Sequence, residues 1–178
     1  MYANTCLVYA DDKVVDRTMS VKAEAVAVDT RLAPLKKRVS LKKRANIHFR
    51  RCDLELIWMG TRFFPLMSGS MRKLNERGIR LREMLKKERL KVIETLARAQ
   101  DRLNIPRKKD SLEKLGRELE NLEARELSDS MTRDELGIVT CAPAGEMCLE
   151  GKHLAMGNPE EITDDSTQAI ALRLYSCF

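Results

Sequence analysis

Aromatic side chains are scarce in this 178-residue chain, with four Phe, three Tyr and one Trp making up 4%. Histidine is scarcer still: His48 and His153 lie in different regions, and no nucleophile elbow, phosphate-binding glycine loop or metal-protease helix accompanies them. An enzyme is therefore not expected, nor a cofactor or resident metal. Long apolar runs are missing as well. The stretch Cys6 to Ala10 meets Asp11 and Asp12 at once, and Leu54 to Met67 is broken by Arg62. No membrane partner is expected, and the chain reads as intracellular, cytoplasmic or nuclear. The five cysteines are odd in number and irregularly spaced, which suits a reducing compartment better than a disulfide framework.

What the chain has is charge: 34% of residues are Asp, Glu, Lys or Arg, with a net charge of +6, beside 43% hydrophobic residues. That balance fits one helix-rich domain better than a β-sandwich. From Arg31 to Arg51 there are nine Lys or Arg and no acid, including the near-repeat Leu35-Lys-Lys-Arg-Val-Ser40 and Leu41-Lys-Lys-Arg-Ala-Asn46. Such a cluster neutralises phosphates and gains from counterion release, and His48 and Phe49 beside it suit stacking on unpaired bases. The alternative is a solvated segment that balances the acidic C-terminal third. The triplets also resemble a nuclear-import signal. Without a recognisable RNA-binding or zinc-finger signature, the expected contacts are to backbone, not bases. The candidate ligands of nucleic acid are Lys36, Lys37, Arg38, Lys42, Lys43, Arg44, Arg50 and Arg51.

Beyond Ser70 the spacing of Met71, Leu74, Leu81, Leu85, Val92, Leu96, Ala99 and Leu103 predicts one long helix, interrupted only by Gly78 and stopped before Pro106. A second helix follows, with Asp110 and Glu113 as its capping box and Leu112, Leu115, Leu119 and Leu122 as its seam. Residues 70 to 109 hold fourteen basic and five acidic residues, whereas 110 to 137 hold four and nine. Opposite charge predicts a coiled-coil-like antiparallel hairpin that serves oligomerisation or docking. The first helix, about 50 Å long, would outrun the second, about 28 Å. Met71, Leu74 and Leu81 in the uncovered half are then the candidate partner-binding residues, the basis of an alternative function as a protein-assembly adaptor that binds a partner helix.

The first thirty residues, with Val14, Val15, Val21, Val26 and Val28, predict two or three short strands, although the alanines at 23, 25 and 27 suit a short helix equally. Within them Tyr9-Ala10-Asp11-Asp12 resembles the Tyr-X-Asp-Asp hairpin of reverse transcriptases, whose paired carboxylates hold catalytic metal ions. The resemblance spans about ten residues. With Met1 only eight residues before Tyr9 it implies no active polymerase, and a turn that favours aspartate is the expectation.

Alternation at Leu54, Leu56 and Trp58 predicts a core strand, with a protein or membrane-interface anchor as the competing reading of Trp58, Phe63 and Phe64. Thr132-Arg-Asp-Glu135 predicts a capping box on a one-turn helix closed by Gly137, followed by loop through Pro143, Gly145 and Gly151. Cys141, Cys148, His153 and Cys177 lack the two-to-four-residue knuckle of a zinc site, so free thiols are expected. Ile170, Leu172 and Leu174 alternate as a returning strand would, with a short helix as the alternative. The expected architecture is α+β and helix-dominated, in three parts: a β-containing basic region (1–69), the helical hairpin (70–137) and a loop-rich acidic tail (138–178).

Overall fold

The structure, a computed structural model, describes residues 5–6, 8–33, 49–58, 69–95, 111–121, 124–125, 127, 131–152, 155–156 and 169–170. It is helix-rich with a small sheet. In chain order the elements are α1 (Asp11–Ser20), β1 (Ala25–Val28), α2 (Arg51–Trp58), α3 (Gly69–Lys87), β2 (Lys91–Glu94), α4 (Ser111–Asn121), α5 (Arg133–Val139), α6 (Cys141–Leu149), β3 (Ala155–Met156) and β4 (Ala169–Ile170).

The sheet is built on β1 and β2, which run parallel with Val26 opposite Val92 and Val28 opposite Glu94. Strand order is β1-β2-β4-β3, β4 parallel to β2 and β3 antiparallel to β4. Of the expected returning strand, Ile170 lies in β4, and Leu172 and Leu174 lie outside the described residues. As with other parallel pairs, helices cover both faces. On one face Val26, Val28 and Val92 pack with Leu32, Leu85 and Leu81, and with Val15 of α1. On the other, Ala25 and Ile93 pack with Ala144 and Cys148 of α6.

Among the described residues of the first thirty there is one strand, where two or three were expected. Val14 and Val15 lie on α1, which Asp11 and Asp12 open and Arg17 helps to close, charges placed to suit the helix dipole. The reverse-transcriptase-like tetrapeptide is therefore not a hairpin turn but the entry to a helix.

The long first helix is corrected too. It ends at Lys87, because Arg89 adopts a left-handed φ of 61° and the chain turns into β2. The Arg89 N–H donates to the Lys86 carbonyl at 2.9 Å and the Leu90 N–H to that of Leu85 at 3.2 Å. This is the bonding pattern of a Schellman cap, and Leu90 packs on the cluster that holds Leu85. Val92 follows Leu85 by seven residues and keeps the helical stripe in sequence, but it meets the core from a strand. A long antiparallel hairpin is not shown. The seam of α4 does exist: Leu115 and Leu119 are fully buried, and they pack on Leu136 and Val139 of α5 rather than on α3. Asp110, Leu122 and residues 96–110 lie outside the described residues.

Gly78, which as a sequence feature only weakens the stripe, has a packing role. A Cβ there would stand 2.3 Å from Thr30 Cγ2 and 3.1 Å from the Arg31 carbonyl oxygen, so the segment after β1 lies against bare helix backbone. The capping box of α5 is present: the Thr132 hydroxyl accepts from the Glu135 N–H at 3.3 Å, and the Glu135 carboxylate accepts from the Thr132 N–H at 2.8 Å. That helix runs past Gly137 to Val139, and the expected loop after it is α6 instead. Pro143 is the third residue of α6, where a helix has no use for the missing N–H, and Gly145 is buried 3.7 Å from Ala27 across the absent Cβ. Alternation at 54, 56 and 58 is corrected as well. Those residues lie on α2, which buries Cys52, Asp53 and Leu56 and leaves Trp58 80% exposed.

Candidate functional site

Of the eight cations expected to grip nucleic acid, Lys36, Lys37, Arg38, Lys42, Lys43 and Arg44 lie outside the described residues, as does His48. Arg51 opens α2, exposed, and pairs with Glu55 one turn along at 3.2 Å. Arg50 has a different fate. It is buried between two carboxylates, Asp53 of α2 and Glu94 at the end of β2.

The cluster sits at the carboxyl ends of the two parallel strands. Arg50 Nη2 donates to Asp53 Oδ1 at 3.0 Å and also to Glu94 Oε1, while Nη1 donates to Glu94 Oε2 at 3.0 Å. The Arg50 backbone N–H donates to Asp53 Oδ2 at 2.9 Å, so Asp53 reaches back over the first turn of α2 as a capping residue does. Arg31 Nε adds a longer bond to Asp53 Oδ1 at 3.4 Å, and the Leu32 N–H donates to Glu94 Oε2 at 2.7 Å. Beside them the Thr30 hydroxyl donates to Oδ1 of the buried Asn75 on α3 at 3.2 Å.

Two guanidinium groups thus face two carboxylates, and the buried charge balances. Burial opposes ionisation of Asp53, but Arg50 and Arg31 outweigh it and hold the carboxyl below its ordinary value. For Arg50 the carboxylates, Glu94 foremost, outweigh burial and strengthen its hold on the proton. Burial prevails at Arg31, whose pKa is lowered in spite of Asp53. Burial also pushes the neighbouring Cys52 thiol up to about 12, which makes it a poor nucleophile.

All four carboxylate oxygens accept hydrogen bonds within the protein, leaving this cluster unsuited to hold a metal or take a proton from a substrate. Its effect is to tie together three segments: the chain leaving β1, the start of α2 and the end of β2. The first carboxylate of the tetrapeptide is likewise engaged, since Asp11 Oδ1 accepts from Arg77 Nε of α3 at 2.5 Å. Among the described residues, no three His, Cys, Asp or Glu side chains converge as metal ligands would. Cys141 and Cys148 are buried thiols of α6, while His153 and Cys177 lie outside the described residues.

The expected partner seam is split. Leu81 packs into the core, Met71 is half-buried and only Leu74, 43% exposed, faces outward. The sequence reading missed Asp53 and Glu94. Their signals were an acid three residues after Arg50 at a helix start, and one charge inside the apolar run Val92-Ile93-Glu94-Thr95. No family model, curated protein or solved structure matches this chain. Among the described residues, no helix is long and apolar enough to cross a membrane.

Proposed function

We propose that this is a non-enzymatic, intracellular protein that binds the backbone of RNA or DNA without sequence preference, through Lys36, Lys37, Arg38, Lys42, Lys43 and Arg44, with Arg51 at the edge. The observation that supports this most is how the basic run is bracketed. Arg31 and Leu32 at one end, and Arg50 at the other, bond to the same two buried carboxylates. Both ends of the run are therefore fixed at one point of the fold, and the two Lys-Lys-Arg triplets stand between those ends in the sequence. Fixing the ends lowers the ordering cost that a free basic tail would incur on binding. The exposed Lys73, Lys87, Arg89 and Lys91 on α3 and its exit extend the supply of positive charge.

The test is binding of the full chain to mixed-sequence RNA and to duplex DNA, beside a variant with Lys36, Lys37, Arg38, Lys42, Lys43 and Arg44 all changed to Ala. Loss of binding by at least tenfold in the variant, with its helical circular dichroism intact, is the expected result. Equal binding by the two proteins would contradict the proposal.

A further inference from the structure

We infer that the outer edge of β1 is a docking site for an extended, cationic peptide segment of a partner protein, which adds to the sheet as a strand. This goes beyond the nucleic-acid reading and uses a different surface.

Hydrogen-bond direction along β1 sets what its outer edge offers. The Val28 carbonyl accepts from the Thr95 N–H at 2.9 Å, on the β2 side. In a parallel pair, alternate residues turn both backbone polar groups toward the same neighbour. Val26 and Val28 therefore bond to β2, and Ala25 and Ala27 direct their N–H and C=O groups the other way. Since β1 ends the strand order, no described strand meets them there.

They meet a groove. It has a volume of about 930 Å³, its floor is the five-residue run Ala23 to Ala27, and its walls are the last turn of α1 and one side of α6. Successive strand residues point to opposite faces, so the three β1 residues among them, Ala25, Val26 and Ala27, can line one groove together only if it runs along the strand edge. The four residues of β1 are about 13 Å long at the rise of a strand, enough to pair with a short added strand. Small side chains keep the floor low, which lets another backbone approach to hydrogen-bonding distance.

Edge strands are ordinarily protected by charge, proline or a bulge. Ala-Val-Ala-Val carries none of these, and its rim shows apolar side chains: Val21 is 59% exposed, Ile138 64% and Leu149 45%. The rim also selects by charge. Glu24, Glu146 and Glu150 line it against the single cation Arg17, for a net charge of −2, and the nearby Lys152 pairs with Glu150 at 3.0 Å on the surface. An open edge demands an extended backbone, the apolar rim rewards alternating aliphatic side chains, and the carboxylates favour Lys or Arg between them.

A ten-residue peptide of alternating Lys and Val, blocked at both ends and fluorescently labelled, is the probe. Against the full chain it should bind at least tenfold more tightly than the Glu-Val counterpart. The exposed double substitution Glu146→Lys with Glu150→Lys should weaken it by about tenfold while leaving the circular dichroism unchanged. Methylating the backbone nitrogens along one edge of the peptide should abolish binding, and the amide protons of Ala25 and Ala27 should gain exchange protection when the parent peptide binds. Failure to bind, equal binding of the methylated peptide, or binding without protection at Ala25 and Ala27 would overturn the inference. So would a concentration-dependent dimer that protects those amides without peptide, since a second copy of the chain would then be the occupant.

Discussion

The guanidinium of Arg50 touches both buried carboxylates, so removing it leaves Glu94 without its ion-pair partner and Asp53 with only the longer bond from Arg31. Arg50→Ala should lower unfolding stability by about 3 to 5 kcal/mol in urea titrations, as loss of one partner of a buried ion pair does. Arg51→Ala should change it by less than about 0.5 kcal/mol, because an exposed i,i+4 pair contributes little. The two arginines are neighbours in a basic run and nothing in the sequence separates them; burial does. The pH dependence follows from Asp53. Its folded pKa is depressed, so the ionised form stabilises the fold above the ordinary carboxyl value of about 3.9, and that contribution is lost as pH falls through the folded value. The stability gap between wild type and Asp53→Asn should therefore stay constant from about pH 8 to pH 5 and narrow below about pH 4. A gap that widens on acidification would contradict the assignment. At Gly78 the usual helix rule reverses. Alanine in place of glycine ordinarily stabilises a helix by up to about 1 kcal/mol, but here the added methyl meets Thr30 and the Arg31 carbonyl. Gly78→Ala should instead cost about 1 to 3 kcal/mol in chemical denaturation, the range seen for overpacking.

At the scale of the element, the end of α3 decides the architecture. In a continuous helix Arg89→Gly would destabilise by about 1 kcal/mol; with Arg89 at a left-handed cap it should stabilise by a similar amount. Thermal unfolding of this single variant distinguishes the two by sign. Much was legible where local rules agreed. The seam of α4 and the Thr132 to Glu135 box carry their signal in the residues that form them. The rest failed for identifiable reasons. Nothing around Arg89 announces a helix end, since neither Gly nor Pro stands there and the cap is made by backbone bonds. Pro143 and Gly145 suggested a loop, yet one occupies a first turn that tolerates it and the other lets α6 lie close on β1. Val14 and Val15 have strand propensity, but the acids before them and the packing of Val15 on the sheet favour helix. Asp53 and Glu94, the charges that organise the candidate site, lie 41 residues apart and are united only by folding.

On the scale of the whole molecule, charge is segregated in sequence and partly cancelled in space. The net charge of +6 leaves a surplus of cations, and two of the nine in the basic run, Arg31 and Arg50, are consumed inside the fold. The other seven, the two Lys-Lys-Arg triplets and Arg51, whose surface pair with Glu55 a phosphate would replace, set the expected salt sensitivity. Neutralising Z phosphates of duplex DNA gives a slope of log binding constant against log salt of about −0.9Z, so engagement of most of these seven predicts a slope of roughly −4 to −6. The peptide groove, rimmed by carboxylates, lies on a different side of β1 from Arg50 and Glu94, and occupancy of one surface should leave the other able to bind. The most direct test of the nucleic-acid account is a salt titration of duplex DNA binding by the full chain and by the six-alanine variant. The account predicts a steep slope of roughly −4 to −6 for the wild type, reduced to near −1 in the variant. A shallow slope for the wild type, or the same slope for both proteins, would contradict it.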